Sequence, residues 1–373
     1  MTHAPGASVA SRLAQGLRSN PLLVLLAAVP AVFAIEHSSP ESHTLLFVLS
    51  MLAIIPLATL LSHATESVAA RTGDAVGGLL NATLGNLTEL VIAITALRAG
   101  MFELVKASIA GAIFTNSLFM LGMALLLGGL RHRVQEYNPG NARLQAGLLF
   151  LAAVALLLPS LIGTSDRPGA EAVVQQLSVG LAVLLLVTYV LGLVFSLGTH
   201  RDFFAGAAHG GEADEHLWPV KLALVMLAVI TVVVALVSEI FVESVQYAAV
   251  TFGMSPAFVG FIVVAIVGAA AEMTAAFSAA RKNRLDLSIG IALGSSAQIA
   301  LFVAPILVLV SYVIAPMPMD LMLWPGAVVA VLISALTVYI VANSGRSAWY
   351  LGVLLLVVYA TFAMALYLLP PAT

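Results

Sequence analysis

The sequence predicts an all-α, polytopic membrane protein, and three observations support this prediction. Of the 373 residues, 61% are hydrophobic and only 9% are charged, whereas soluble domains carry about 25% charged residues. The mean hydropathy is +1.08. Eleven apolar segments are near the length of about 20 residues that a helix needs to cross a bilayer. They run near 21–35, 44–70, 75–98, 105–129, 144–163, 174–198, 218–247, 256–281, 287–314, 321–342 and 348–369.

The first apolar segment is the shortest and contains Pro21 and Pro30. Because Arg12 and Arg18 precede it, a signal sequence is an alternative interpretation. We predict instead an additional first helix, so that residues 1–43 form an N-terminal tail followed by that helix.

A polar loop at 199–217 divides the other ten segments into two groups of five, at 44–198 and 218–369. We expect this loop to be a solvated cytoplasmic linker, with a weak ion-sensing or ion-funnelling role as the alternative. Its acidic residues and histidines are Glu212, Asp214, Glu215, His209 and His216.

The distribution of lysine and arginine predicts the orientation, because cytoplasmic loops carry an excess of these residues. With a cytoplasmic N-terminus and eleven crossings, twelve of the 15 lysines and arginines fall on the cytoplasmic side. The remaining three are Arg98, Lys106 and Arg167. We therefore expect an integral protein of a bacterial inner membrane with its N-terminus in the cytoplasm.

An internal repeat becomes visible when the two halves are aligned at a shift of 183 residues, which superimposes Glu89 on Glu272 and Gly85 on Gly268. Without a gap, nine identities fall in the 35 positions from 85 to 119. Five crossings per copy is an odd number, so the two copies must face opposite ways. Inverted repeats are typical of secondary transporters, whose substrate site lies at the repeat interface near the middle of the membrane.

Glu89 and Glu272 lie deep within apolar segments, where a carboxylate costs roughly 2.5–3.5 kcal/mol on insertion scales unless something neutralises it. Gly85 and Gly268 each lie four residues earlier, one helical turn away on the same face. A glycine there permits close helix packing, or a break in the helix that is tolerated only beside a cavity or inside protein. We interpret the repeated pattern as a site for a cation or a proton.

The helix after each glutamate offers neutral oxygen ligands. Two carboxylates with amide, hydroxyl and carbonyl oxygens suit Ca²⁺, which takes six to eight oxygens, whereas Mg²⁺ demands a tighter octahedron. For the hydroxyl side chains, hydrogen bonding between helices is the alternative, while buried amides are costlier to leave unpaired. The candidates are Asn86, Thr115, Asn116, Ser117, Ser295, Ser296 and Gln298.

Three further acidic residues, Glu66, Glu239 and Glu243, lie in the segment before each glutamate segment and nearer its end. They are candidates for an entrance or gating role, and an ordinary hydrated helix end is the alternative.

Several function classes are disfavoured. The chain has no cysteine, which excludes disulfides and thiolate metal sites. Its net charge of −3 gives no reason to expect a nucleic-acid partner. The sequence contains neither an ATP-binding motif nor a Ser-His-Asp arrangement, so we expect no ATP-driven pump, no enzyme and no cofactor. The expected partner is the lipid bilayer, and a homo-oligomer is left open.

At these motifs the chain resembles the calcium/proton exchangers of the calcium/cation antiporter superfamily. The resemblance covers about residues 44–369 and implies an extra first helix, two inverted five-helix repeats, and Ca²⁺ bound by Glu89 and Glu272 in exchange for protons. The family's second motif usually reads Gly-Asn-Ala-Ala-Glu-His, whereas this chain has Ala269 and Met273 at the Asn and His positions. The similar stretches are ATESVAARTGDAVGGLLNATLGNLTE (64–89), GAIFTNSLFMLGMALLLGG (111–129) and 268–305, ending in LDLSIGIALGSSAQIALFVAP.

The activity we expect is exchange of Ca²⁺ for protons by alternating access. Burial and mutual repulsion favour the protonated carboxylates of an empty site, and Ca²⁺ favours the ionised pair. The nearest alternative is a sodium/calcium exchanger, or an exchanger of Mn²⁺, Na⁺ or K⁺; the few hydroxyl side chains beside the glutamates favour protons over sodium. A channel and an intramembrane enzyme are more distant alternatives.

Overall fold

The computed structural model describes residues 21–72, 74–163, 169–200 and 217–368. Most of the predicted linker, with its acidic residues and histidines, lies outside the described residues, as do Arg12, Arg18 and Arg167. The described residues are mostly helical, which confirms the all-α class.

The helices follow one another along the chain. A short 3₁₀-helix (Pro21–Ala27) leads into α1 (Ala28–Ser38). The next helices are α2 (His43–Ala69), α3 (Asp74–Leu84), α4 (Leu87–Arg98), α5 (Phe102–His132), α6 (Pro139–Gly163) and α7 (Ala170–Thr199). The second half contains α8 (Val220–Thr251), α9 (Pro256–Gly268), α10 (Ala270–Arg281), α11 (Leu285–Ile314), α12 (Pro325–Val341) and α13 (Trp349–Leu368).

Length and hydropathy identify the helices that can cross a membrane. Among the described residues, seven helices pass this test, or nine if each of two bent pairs forms one span. Two shorter apolar helices, Val24–Ser38 and Pro325–Val341, coincide with the first and tenth predicted segments. The chain is thus an integral membrane protein, and the count of eleven crossings stays a prediction.

Two of the predicted segments are broken helices. Segment 75–98 is divided into α3 and α4, which are bent by 42°, and segment 256–281 is divided into α9 and α10, which are bent by 58°. The breaks fall at Gly85–Asn86 and at Ala269. The 183-residue shift relates Asn86 to Ala269, so the irregular backbone occurs at the same place in both halves.

Helices α2 and α8, the first of each predicted repeat, pack along each other in opposite directions. The His43 ring near the start of α2 stacks on Tyr247 near the end of α8, with centroids 3.9 Å apart. Near the other end of α2, the His63 ring meets the edge of Trp218, which precedes α8, at 4.7 Å. Opposite directions of equivalent helices are what an inverted repeat requires.

The glutamate-bearing helices each pack against the other half of the chain. Helix α4 contacts α8 and the second half of α11, and α10 contacts α2 and the second half of α5. Wide π-helical turns occur at equivalent places in α5 (Thr115–Met120) and α11 (Ile299–Val303). Such turns are frequent at functional sites.

A non-helical segment at 315–324 precedes α12, which therefore begins four residues later than the sequence suggested. Pro316, Pro318 and Pro325 oppose a helix here, and buried serine hydroxyls accept hydrogen bonds from its backbone N–H groups. The pairs are Met319–Ser311 (2.8 Å), Leu321–Ser178 (2.9 Å) and Leu323–Ser160 (2.9 Å). Asp320 of this segment pairs with Lys106 at 2.7 Å, and so neutralises a lysine side chain that is only 8% exposed in α5.

A short antiparallel pair of strands, which the sequence did not predict, joins the loop after α5 to the loop after α12. Strand β1 (Val134–Glu136) pairs with β2 (Arg346–Ala348). Gln135 of β1 donates to the carbonyl of Ala280 and to Asn283 Oδ1, both at 2.9 Å. The strands are thereby attached to the end of α10.

Candidate functional site

Both glutamates lie in the first turn of a helix that begins inside the membrane region. Glu89 is in the first turn of α4, and Glu272 is in the first turn of α10. The N-terminus of a helix carries a partial positive charge that stabilises an anion placed there. Each break therefore creates a local positive pole and places a carboxylate beside it.

The carboxylates have few partners in the protein. Both side-chain oxygens of Glu89, and Oε2 of Glu272, are buried and have no hydrogen-bond partner on another described residue. Glu272 is also within electrostatic reach of Glu89. Buried polar atoms are normally satisfied, and two neighbouring buried carboxylates repel each other when both are charged. The pair therefore requires either bound protons or a cation.

Gly268 lies directly against the Glu89 side chain. A Cβ added at Gly268 would be 2.9 Å from Glu89 Cγ and 3.6 Å from Glu89 Oε1. The glycine of the second motif thus makes room for the glutamate of the first, and the two motifs meet in one site. At Gly85 an added Cβ would lie 2.6 Å from the carbonyl oxygen of Asn81, so this glycine is required by the backbone of its own break.

A cavity of ≈ 20 Å³ adjoins Glu89 and Gly268. Apolar side chains of α4, α5, α9 and α11 form most of its remaining wall, with Ser108 as a hydroxyl. This volume is enough for about one water molecule. Glu89 therefore borders a space of the size that a single ion or water occupies.

Four of the predicted neutral ligands form one hydrogen-bonded network across the two halves. Asn86 Nδ2 donates to Gln298 Oε1, and Ser295 Oγ donates to Asn86 Oδ1 at 2.8 Å. Asn116 Nδ2 donates to Ser295 Oγ at 3.0 Å, while Asn116 Oδ1 is buried without a partner on the described residues. The network reaches Asn86 at the start of α4, one turn from Glu89.

The other candidate hydroxyls bond between helices. Ser117 and Ser296 lie 3.0 Å apart, and Thr115 lies 3.4 Å from the hydroxyl of Tyr359. These contacts match the interhelical alternative; a ligand role for Ser296 stays a prediction. Within the described ranges, no cluster of three or more His, Cys, Asp or Glu could hold a metal, so a cation at this site would need neutral oxygens.

The site is asymmetric between the two halves. Ala269, which occupies the position equivalent to Asn86, is fully buried, and Met273 is 6% exposed. The 183-residue shift also places Thr115 opposite Gln298 and Ala112 opposite Ser295. Because Ala269, Ala112 and Thr115 carry no amide, the amide network of the first break is not repeated at the second.

Of the three predicted entrance residues, Glu66 is exposed yet acts electrostatically on Glu272. Ser62 Oγ donates to Glu66 Oε1 at 3.2 Å. Glu239 and Glu243 are exposed on α8. Of the three, only Glu66 has a charge that contributes at Glu272, and the entrance or gating role of all three stays a prediction.

Tyr189 is a residue of the site that sequence reasoning missed. Its hydroxyl donates to the backbone carbonyl of Ala82 at 2.7 Å, in the last turn of α3 before the break. Its ring stacks on Phe302 in the wide turn of α11, with centroids 5.3 Å apart. The only signal in the sequence is a tyrosine within an apolar segment, which does not indicate a partner.

We expect Tyr189→Phe to slow ion exchange about two- to tenfold, because a typical hydrogen bond contributes about 0.5–1.5 kcal/mol and this one supports the broken conformation of α3 and α4. Initial exchange rates and thermal unfolding would be measured on the purified, reconstituted protein. Tyr350→Phe, at an exposed tyrosine of α13, is the matched control. An unchanged exchange rate in Tyr189→Phe would show that the break does not depend on this bond.

The site is built from two broken membrane helices, one from each half of the chain. In each, a buried carboxylate lies in the first turn after the break. These features define the chain as a helical membrane transporter. The chain belongs to the sodium/calcium exchanger protein family, which matches residues 42–198 and 222–368.

Named relatives support this membership. The chain is 42% identical to a Ca²⁺/H⁺ antiporter of Synechocystis sp. over 371 residues, 95% of this chain and 98% of the relative. It is 38% identical to the Ca²⁺/H⁺ antiporter ChaA of Bacillus subtilis over 349 residues, 93% and 98% of the two chains. Among solved structures, native YfkE superimposes with a TM-score of 0.80 at 34% identity, covering 93% of this chain and 100% of YfkE.

Proposed function

We propose that this protein is a secondary antiporter that exchanges Ca²⁺ for protons by alternating access, with Glu89 and Glu272 alternately binding Ca²⁺ and protons. The observation that carries the proposal is the buried carboxylate pair, in which both oxygens of Glu89 and Oε2 of Glu272 lack partners on other described residues, and in which the two charges act on each other. The relatives named as Ca²⁺/H⁺ antiporters support the choice of cargo.

Binding of Ca²⁺ and binding of protons exclude each other for an electrostatic reason. Two protons or one Ca²⁺ neutralise the pair, whereas two bare carboxylates in a low-dielectric interior are strongly unfavourable. Only a loaded site can therefore change its exposure from one side to the other, which couples the two fluxes. Exchange of two protons for one Ca²⁺ moves no net charge.

The proposed Ca²⁺ ligands are the two glutamates and the neutral oxygens around them. The amide network supplies Asn86, Asn116 and Gln298 as carbonyl oxygens within one turn of α4 and in the facing helices, with Ser295 and Ser296 as hydroxyls. Ca²⁺ tolerates such irregular sets of six to eight oxygens. When Ca²⁺ binds, bonds from these side chains to the ion replace the hydrogen bonds that they make with one another.

We further propose that residues 44–198 and 218–369 are two inverted repeats, with 199–217 as a cytoplasmic linker. The opposite directions of α2 and α8 support the inversion. In the bacterial inner membrane, with a cytoplasmic N-terminus, Glu66 would lie toward the cytoplasm and Glu239 and Glu243 toward the other side. Glu66 would then attract Ca²⁺ to the cytoplasmic entrance, and an inward proton gradient would drive Ca²⁺ out.

The test is a flux assay in everted membrane vesicles with a preformed proton gradient. Addition of Ca²⁺ should release the gradient with saturable kinetics and without Na⁺. Mn²⁺, Na⁺ and K⁺ are compared at matched concentrations. A gradient that responds to Mn²⁺ or Na⁺ and not to Ca²⁺ would favour the alternative cation exchangers, and flux without saturation would favour a channel.

A further inference from the structure

Three buried amide oxygens, on Asn116, Gln135 and Gln145, have no hydrogen-bond partner among the described residues. Asn116 Oδ1 lies on α5 and Gln145 Oε1 lies on α6. A buried polar atom of this kind is usually satisfied by an ordered water molecule. Gln145 belongs to none of the motifs described above, so its partner requires a separate explanation.

Gln145 continues a line of polar side chains that begins at the end of the molecule carrying Asp286. The backbone N–H of Asn138 donates to Asp286 Oδ1. The N–H of Asn141 donates to Asn138 Oδ1 at 3.4 Å, and Gln145 Nε2 donates to Asn141 Oδ1 at 3.1 Å. The line thus runs from the loop before α6 two helical turns into the apolar region.

Gly294 of α11 faces the inner end of this line. A methyl group added at Gly294 would lie 3.7 Å from Gln145 Oε1, and no other described atom beyond its own stretch of helix lies within 4 Å. The next residue, Ser295, carries the hydroxyl that bonds both Asn86 and Asn116. The polar line therefore ends beside Gly294, whose neighbour Ser295 belongs to the network at the proposed cation site.

One face of α11 is partly accessible along its length. Leu287, Ile291, Gly294 and Gln298 share this face and are all half-buried, whereas the neighbouring Ser288, Ala292 and Ser295 are buried. The accessible face leads from the Asp286 end to Gln298, which accepts a hydrogen bond from Asn86. Partial accessibility of these residues means that water can reach this face, which lies beside the polar line of α6 where Gly294 faces Gln145.

We propose that ordered water between α6 and α11 relays protons between the Asp286 end of the molecule and the Asn86–Glu89 site. Each water accepts one proton and passes on another, so one proton enters the row as one leaves, and no bond is broken overall. Between Asp286 and the site, the residues of this route are amides and a glycine, so the route offers a divalent cation no charged ligand. Ca²⁺ instead uses the face of Glu66, which acts on Glu272. The inference rests on the proposed Ca²⁺/H⁺ exchange.

The experiment compares two exchange modes in proteoliposomes at one pH. Ca²⁺/H⁺ exchange requires proton movement, whereas exchange of isotopic Ca²⁺ for unlabelled Ca²⁺ does not. Gly294→Ala places a methyl group beside Gln145 Oε1, and Gln145→Leu removes the amide. The matched control is Gly147→Ala on α6, where an added Cβ meets nothing within 4 Å.

We expect both variants to slow Ca²⁺/H⁺ exchange about tenfold, equivalent to about 1.4 kcal/mol of barrier, with Ca²⁺/Ca²⁺ exchange unchanged; the control should alter neither mode. Equal loss of both modes would mean general damage to the site and would overturn the proposal, as would unchanged Ca²⁺/H⁺ exchange in both variants. Absence of Ca²⁺/H⁺ exchange in the unmodified protein would instead reject the proposed function itself.

Discussion

Glu89→Gln and Glu272→Gln are each expected to abolish Ca²⁺-driven release of a proton gradient. Glutamine keeps the shape of glutamate but can neither become an anion nor carry the exchanged proton. In the Ca²⁺-loaded site each carboxylate forms a buried pair with the cation, and removing one partner of such an oppositely charged pair costs about 3–5 kcal/mol. Each 1.36 kcal/mol corresponds to a factor of ten. The exchange rate should therefore fall by about two to four orders of magnitude. Proton release and isotopic Ca²⁺ uptake would be measured in the same vesicles.

Glu103→Gln is the matched control for this prediction, because Glu103 is an exposed glutamate in the first turn of α5. It should exchange at the original rate. Glu89→Asp and Glu272→Asp keep the charge on a shorter side chain, and they should retain part of the activity. If either glutamine variant exchanges as fast as the unmodified protein, the two carboxylates do not both bind the exchanged Ca²⁺ and protons.

Gly268→Ala is expected to have the second largest effect. The new methyl group would lie 2.9 Å from Glu89 Cγ, so either the carboxylate or the break between α9 and α10 has to move. Overpacking of this kind costs about 1–3 kcal/mol, which corresponds to a roughly 5- to 150-fold loss of exchange. Alanine is otherwise preferred over glycine in helices by about 1 kcal/mol, so a loss of exchange would arise from the contact with Glu89.

The measurement combines Ca²⁺ affinity, exchange rate and thermal unfolding of the purified variant. Gly180→Ala on α7 is the control, since an added Cβ there meets nothing within 4 Å. We expect folded Gly268→Ala protein with weakened Ca²⁺ binding. Normal binding in this variant would argue against the close contact between the two motifs.

The sequence predicted the parts of the molecule that depend on local patterns. Hydropathy located the helices, and the 183-residue shift located both helix breaks, because Gly85 and Gly268 lie beside them. Neutral ligands on α5 and α11 could also be proposed, since buried amides are costly to leave unpaired.

Contacts between distant segments could not be derived in this way. No pattern indicates that Gly268 accommodates Glu89, that Gln298 bonds Asn86, or that Tyr189 bonds Ala82, because each contact depends on how whole helices pack. The segment 315–324 was also missed, since serines from three other helices satisfy its backbone.

The difference between Asn86 and Ala269 has a consequence for the resting state of the transporter. Two identical inverted copies would give inward- and outward-facing forms of equal energy, related by a two-fold rotation about an axis in the membrane plane. Here one break is tied by amides to the opposite half, while the other is packed with methyl groups. The two forms therefore differ in free energy, and the empty protein rests mainly in one of them. Ca²⁺ arriving from the two sides of the membrane consequently meets different apparent affinities.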